Sequence, residues 1–224
     1  GTFRGIPLPD IIHFSPPCWG YSNVSKTDAK QPFDLDMINT AIARLRRLEA
    51  SWDTHHTPLI WEIENVPASK PHVTEHIEST PLLCGTMMGL HVFRHRVFYC
   101  NYQASTELSC SHQGKILGSR GVHLSKRRDR DRWAHLPDPN MYGVYSRPYE
   151  SRGTADEWHG AIGFQPKLFS AKGLSGALPI SYGRLMGAQM VAHLLAKTHG
   201  CPVYPPGERT AESDAIVDTW VRHG

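Results

Sequence analysis

The apolar positions of the chain fall into blocks with different spacings. Pro9-Asp-Ile-Ile-His-Phe-Ser15 is a short apolar run halted at Pro16-Pro17, with Cys18 just beyond. Proline has no amide to donate to a ladder and fixes φ, so this pattern predicts a buried strand stopped by two prolines. The next block changes period. Leu35, Ile38, Ile42, Leu45 and Leu48 recur at three- and four-residue steps, Arg44, Arg46 and Arg47 lie largely off that stripe, and Asp34 is placed to cap the amino end; this is an amphipathic helix. Pro58-Leu-Ile-Trp-Glu-Ile-Glu-Asn-Val66 reads as a second strand, closed by Pro67. Strand, helix and strand within about sixty residues predict a βαβ unit of a parallel sheet.

Further along, Val92, Arg94, Arg96 and Phe98 take one parity of an extended segment, and Phe93, Val97 and Tyr99 the other. Residues 101–160 then lose periodicity and are rich in Gly, Ser, His, Arg and Tyr. A last helix follows Ser181, carrying Tyr182, Leu185, Met186, Gln189, Ala192 and Leu195, and stops near Gly200. From Cys201 the tail turns at Pro205-Pro206-Gly207. No internal repeat is present.

Composition narrows the class. In 224 residues, 40% are hydrophobic with 19 Gly besides, which excludes disorder as a class. No apolar run approaches the ~18 residues of a membrane span. Net charge is +3, from 24 Lys and Arg against 21 Asp and Glu, and neither demands nor excludes a nucleic-acid partner. The excess is local: Lys115, Arg120, Lys126, Arg127, Arg128, Arg130 and Arg132 against Asp129 and Asp131 leave +5 within residues 115–132. Five cysteines without a C-x-x-C pair argue against a disulfide scaffold and a zinc ribbon, and fit a reducing, cytoplasmic setting with room for one reactive thiol. Cys100, Cys110, His112 and His123 match no standard zinc spacing, so no metal is expected.

Three segments carry chemistry together. Ser15-Pro16-Pro17-Cys18-Trp19-Gly20-Tyr21-Ser22 puts a thiol at a strand end, Glu64-Asn65-Val66 puts a carboxylate at the end of the neighbouring strand, and Arg94-His95-Arg96 supplies two guanidiniums. Ligands of open parallel sheets sit beyond the carboxyl ends of the strands, so Cys18 and Glu64 are expected to converge on one crevice. Alone, each segment also has an ordinary reading: a buried small thiol, a solvated strand end, a salt-bridged surface strand.

In this order and spacing the segments resemble the cytosine-C5 DNA methyltransferases, whose fourth, sixth and eighth motifs are Pro-Cys-Gln-x-x-Ser, Glu-Asn-Val and Gln-x-Arg-x-Arg. Pro17-Cys18 and Ser22 match the first, Glu64-Asn65-Val66 the second, and Arg94 and Arg96 the third, while Trp19 and Val92 stand where the family has Gln. Leu82-Leu-Cys-Gly-Thr-Met-Met-Gly-Leu90, and the later Ala161-Ile-Gly-Phe with Leu178-Pro-Ile-Ser-Tyr182-Gly183, are similar to the compact phage-type members.

The resemblance implies an α/β fold, a Rossmann-like class I methyltransferase sheet incomplete at its amino terminus, with a small irregular target-recognition lobe. It implies a catalytic half over 1–99, a reduced recognition region over 100–155, a return segment and closing helix over 156–200, and a tail over 201–224. By the same token Cys18 is the nucleophile that adds to C6 of cytosine, Glu64 partners N3, Arg96 contacts the base and Arg94 holds the loop or a phosphate. Pro17 and Tyr182 would line S-adenosylmethionine. Ser22 and the basic residues Lys115, Arg120, Lys126, Arg127 and Arg128 would contact double-stranded DNA. A monomer in the cytoplasm of a bacterial host is the expected setting. The sequence contains no Phe-x-Gly-x-Gly turn and begins about eight residues before the nucleophile strand, so an amino-terminal truncation is expected as well. Two competing readings are a DNA-binding remnant without activity, and a cysteine hydrolase pairing Cys18 with His13 or His95.

Overall fold

The computed structural model describes residues 2–3, 6–7, 9–18, 20–21, 36–52, 58–90, 92, 94–105, 159–160, 162–165 and 177–200. Strand β1 (Thr2–Phe3) pairs antiparallel with β2 (Ile6–Pro7) as a separate two-stranded sheet. The main sheet has four strands, β3 (Ile11–Phe14), β4 (Ile60–Asn65), β5 (Leu82–Leu83) and β6 (Arg96–Cys100), in the spatial order β3-β4-β6-β5. Helix α1 (Met37–Trp52) joins β3 to β4, and α2 (Ile180–His199) closes the described part of the chain.

The expected βαβ unit is present. β3 and β4 are parallel, with Ile11 opposite Ile60 and Phe14 opposite Ile63, as a crossover helix requires. The helix fills its stripe as its spacing dictates: Ile38 and Ile42 are buried, and Leu45 and Leu48 pack beside them. Asp36 precedes its first turn and accepts a hydrogen bond from the Asn39 side-chain amide at 2.8 Å; Asp34 lies outside the described residues.

The sheet as a whole is mixed, which corrects the expectation of a parallel one. After β4 the chain turns through two 3-10 segments, Pro67–His72 and Gly85–Met88. It then re-enters as β6, antiparallel to both β4 and β5. The extended segment expected from Val92 is strand only from Arg96. Val92 forms an isolated bridge pressed against Gly85, where a Cβ would lie 2.3 Å from the Val92 carbonyl oxygen.

The sheet lies between two helices. On one face Leu59, Trp61, Ile63, Val97 and Tyr99 pack on α1; on the other Ile60, Leu83, Phe98, Cys100 and Tyr102 pack on Tyr182, Met186 and Met190 of α2. All six residues of β4 are buried, the condition of a strand covered on both sides. Glu62 and Glu64 share the parity of Ile60, and so both carboxylates stand on the α2 face, one of them deep in it. Helix α2 begins at Ile180, two residues before the position expected from sequence, and is closed by Gly200 in the left-handed conformation (φ 68°), which a residue without Cβ adopts freely. Among the described residues no helix is long and apolar enough to cross a membrane.

Candidate active site

Strand direction brings the three segments together. β3 and β4 are parallel and end at the same edge of the sheet, and β6, being antiparallel to β4, starts at that edge. Residues that follow β3, end β4 and precede β6 therefore meet: Ser15 to Cys18, Glu64 with Asn65, and Arg94 to Arg96.

The cysteine loop is tied down at both ends. Asn65, 1% exposed, donates its side-chain amide to the Pro16 carbonyl at 3.3 Å, while its oxygen accepts the Val66 amide at 2.8 Å. Beyond the thiol, the Cys18 carbonyl accepts the Tyr21 amide at 3.1 Å, closing a turn, and the Tyr21 ring is buried with its centroid 5.5 Å from that of His72. Pro16 is buried and Pro17 exposed; Cys18 is a free thiol, partly exposed.

Glu64 is held on both oxygens. Oε1 accepts the Arg96 Nε at 2.7 Å, and Oε2 accepts the Ser15 hydroxyl at 2.5 Å. Both ionic side chains are largely covered, 15% exposed for Arg96 and 9% for Glu64, so the pair exists in a medium where its charges act strongly. Arg96 also donates an Nη1 proton to the His95 carbonyl at 2.8 Å. Arg94 is buried, and desolvation together with the like charge of Arg96 pushes its guanidinium down to about 9. Glu64, Tyr182 and Cys18 act on it in the opposite direction. Thiol, carboxylate and both arginines therefore occupy one electrostatic neighbourhood.

Tyr182, expected beside the cofactor, is placed otherwise. Its ring has no exposed surface, and its hydroxyl donates to the Arg94 carbonyl at 2.5 Å. It serves as a strut between α2 and the arginine segment, because a tyrosine buried among Phe98, Leu83 and Met186 must satisfy its hydroxyl within the protein. Of the two residues expected to line S-adenosylmethionine, Pro17 is exposed beside the thiol and can do so. Tyr182 is fully covered in this structure, so Pro17 is the described residue that fits one edge of such a site. Ser22, Lys115, Arg120, Lys126, Arg127 and Arg128 lie outside the described residues, as do Cys110, His112 and His123; Cys100 is buried in β6.

One row back on the same face stands a second polar rung. His13 sits opposite Glu62 in the β3–β4 register, with its Nδ1 2.8 Å from Glu62 Oε1, and Tyr102 donates its hydroxyl to Glu62 Oε2 at 2.7 Å. The hydrogen bond to Glu62 raises the His13 imidazole above its ordinary range. Burial, with Glu62 nearby, pushes the Cys100 thiol up to about 12 and the Tyr102 phenol upward too. Neither Glu62 nor Tyr102 was expected at a site, and Ser15 was expected only as part of the thiol segment. The signal was parity: His13 and Ser15 on one strand and Glu62 and Glu64 on its parallel neighbour alternate in step, which places polar side chains face to face.

No family model and no curated protein sequence matches the chain. Among solved structures, the chain is similar to the Dnmt2 methyltransferase of S. pombe, at 11% identity and a TM-score of 0.42, over 85% of this chain and 79% of that one. It is similar also to the Entamoeba histolytica methyltransferase EhMeth, at 13% identity and a TM-score of 0.42, over 83% and 77%.

Proposed function

We propose that the chain carries the base-modifying site of a cytosine-C5 DNA methyltransferase that uses S-adenosylmethionine. The observation that carries this reading is the meeting of Cys18, Glu64, Arg94 and Arg96 at one sheet edge, with the carboxylate gripped from two sides and the thiol on a pinned, partly exposed turn.

C5 of cytosine is too electron-poor to take a methyl group directly. Addition of the Cys18 sulfur to C6 places negative charge on the ring and makes C5 nucleophilic. Glu64, at the ring edge, stabilises that charge by giving a proton to N3. Arg96 fixes the carboxyl group, and Arg94 presents a second buried cation to the same place. S-adenosylmethionine supplies the methyl group when bound, and Pro17 is the described residue that would line it. The target base leaves the stack to reach Cys18, a cost of a few kcal/mol offset by contacts elsewhere. The basic residues of 115–132 are proposed to make those contacts with double-stranded DNA.

The hydrolase reading needs a histidine facing the sulfur. Its first candidate, His13, binds Glu62 through Nδ1, which leaves only Nε2 for such a role, and the experiment decides between the readings. The test is to incubate the chain with S-adenosylmethionine and DNA containing 5-fluorocytosine, and to weigh the products under denaturing conditions. A covalent protein–DNA adduct is expected, absent in Cys18→Ser. Salt-sensitive DNA binding without adduct would select the inactive remnant, and an adduct that survives in Cys18→Ser would overturn the assignment of the nucleophile.

A further inference from the structure

We propose that Ser15 is a positioning residue that holds Oε2 of Glu64 in both protonation states of that carboxyl, an inference that rests on the reading of Glu64 as the partner of the ring nitrogen. Ser15 follows the last residue of β3, and continuing the register of Phe14 with Ile63 brings it opposite Glu64. Its hydroxyl lies 2.5 Å from Oε2, and the other oxygen belongs to Arg96.

The two partners differ in what they tolerate. Guanidinium can only donate, so Arg96 favours the carboxylate alone. A hydroxyl carries one donor and two acceptor positions: it donates to a carboxylate and, after rotation about its C–O bond, accepts from a carboxylic acid. The other groups facing Glu64 are Arg94, again only a donor, and His13, whose Nδ1 is committed to Glu62. Ser15 is thus the neighbour suited to follow the proton. When the thiolate adds to C6, the O–H bond at Oε2 breaks and an N–H bond forms at N3. The ring loses its negative charge, and the carboxylate left behind regains the Ser15 hydrogen bond and keeps Arg96. Ser15 is exposed whereas Glu64 is buried, so the hydroxyl can turn without disturbing the packed strand.

The experiment compares wild type, Ser15→Ala and Ser15→Thr by two readouts. In the first, the Glu64 side-chain carboxyl carbon is followed by NMR as pH is lowered, its signal assigned with Glu64→Gln. Removing a donor to the ionised form is expected to move the Glu64 transition to higher pH in Ser15→Ala, and Ser15→Thr is expected to restore it. In the second, release of tritium from C5 of cytosine in DNA reports addition at C6. It is expected to fall about tenfold at saturating DNA in Ser15→Ala, the scale of one hydrogen bond to a charged group, with DNA affinity unchanged and Thr restoring the rate. A Glu64 transition unmoved in Ser15→Ala, or moved equally by Thr, would overturn the role of Ser15. A transition that moves as expected in a chain whose wild type releases no tritium would uphold the Ser15–Glu64 coupling and sink the proposed reaction.

Discussion

Replacing Glu64 with Gln and replacing Arg96 with Gln remove opposite ends of one ion pair, yet they are expected to differ in cost. Glu64 faces Arg96 in contact at 2.7 Å and Arg94 through space. Arg96→Gln loses one charge-assisted hydrogen bond, about 2 kcal/mol, and leaves Glu64 still balanced by Arg94. Glu64→Gln leaves two covered guanidiniums facing each other with no carboxylate between them, and breaking a buried pair in that way costs roughly 3–5 kcal/mol. Combining the two substitutions relieves that repulsion, so Arg96→Gln is expected to destabilise the wild type but stabilise Glu64→Gln. The buried Trp61 provides a fluorescence signal for urea unfolding. With a slope near ~3 kcal/mol/M, the midpoint is expected to fall by about 0.7 M in Arg96→Gln and by more than about 1 M in Glu64→Gln, and to recover partly in the double variant. Equal costs for the single variants, or the same sign for Arg96→Gln in both backgrounds, would refute the picture of one carboxylate shared by two cations.

Three further outcomes follow from the same structure. The raised His13 imidazole contributes stability that is fully present below the unfolded value of about 6.5 and is lost as pH rises through the folded value; the urea midpoint of wild type is therefore expected to decline above pH 6.5 relative to that of His13→Asn. Gly85→Ala drives a methyl group to 2.3 Å from the Val92 carbonyl oxygen and 2.5 Å from its Cγ1, an overpacking of about 1–3 kcal/mol that thermal unfolding should show as a Tm lower by several degrees. Tyr182→Phe removes the donor to the Arg94 carbonyl and is expected to cost about 1–3 kcal/mol and to slow C5 tritium release, since the arginine segment loses its strut.

What the sequence disclosed depended on whether a signal was local. The helix stripe from Ile38 to Leu48 and the proline stops after β3 and β4 are short-range patterns, and the structure reproduces them. The direction of β6 was not readable, because an extended run carries no mark of whether it enters a sheet parallel or antiparallel; the 3-10 turns that reverse the chain are built on Pro67 and Gly85, residues that also punctuate ordinary loops. The burial of Tyr182 was legible in part. The family resemblance set this residue beside a ligand, whereas its neighbours Met186 and Met190, one and two turns on in α2, lie in the same buried cluster and mark it as core. Glu62 was hidden by the opposite effect. A carboxylate in an otherwise apolar strand looks like a solvent-facing interruption, and only the partners on β3 and after β6, His13 and Tyr102, make its burial tolerable.

The antiparallel entry of β6 is what gives the candidate site its charge. Had that strand run parallel to β4, its first residues would have lain at the far edge, and the sulfur and carboxylate would have met without a cation between them. Entering as it does, it places Arg94 and Arg96 against Glu64. At the start of the proposed reaction two guanidiniums face an anionic sulfur at Cys18 and a protonated Glu64, so the four groups sum to a single positive charge in a largely covered place. Under the proposed reaction the same balance follows the electrons: the negative charge leaves the sulfur as it adds to C6, appears on the ring, and comes to rest on Glu64 once N3 has its proton. The two arginines face the charge at its start and at its end, so the fixed positive charge need not reorganise as the addition proceeds.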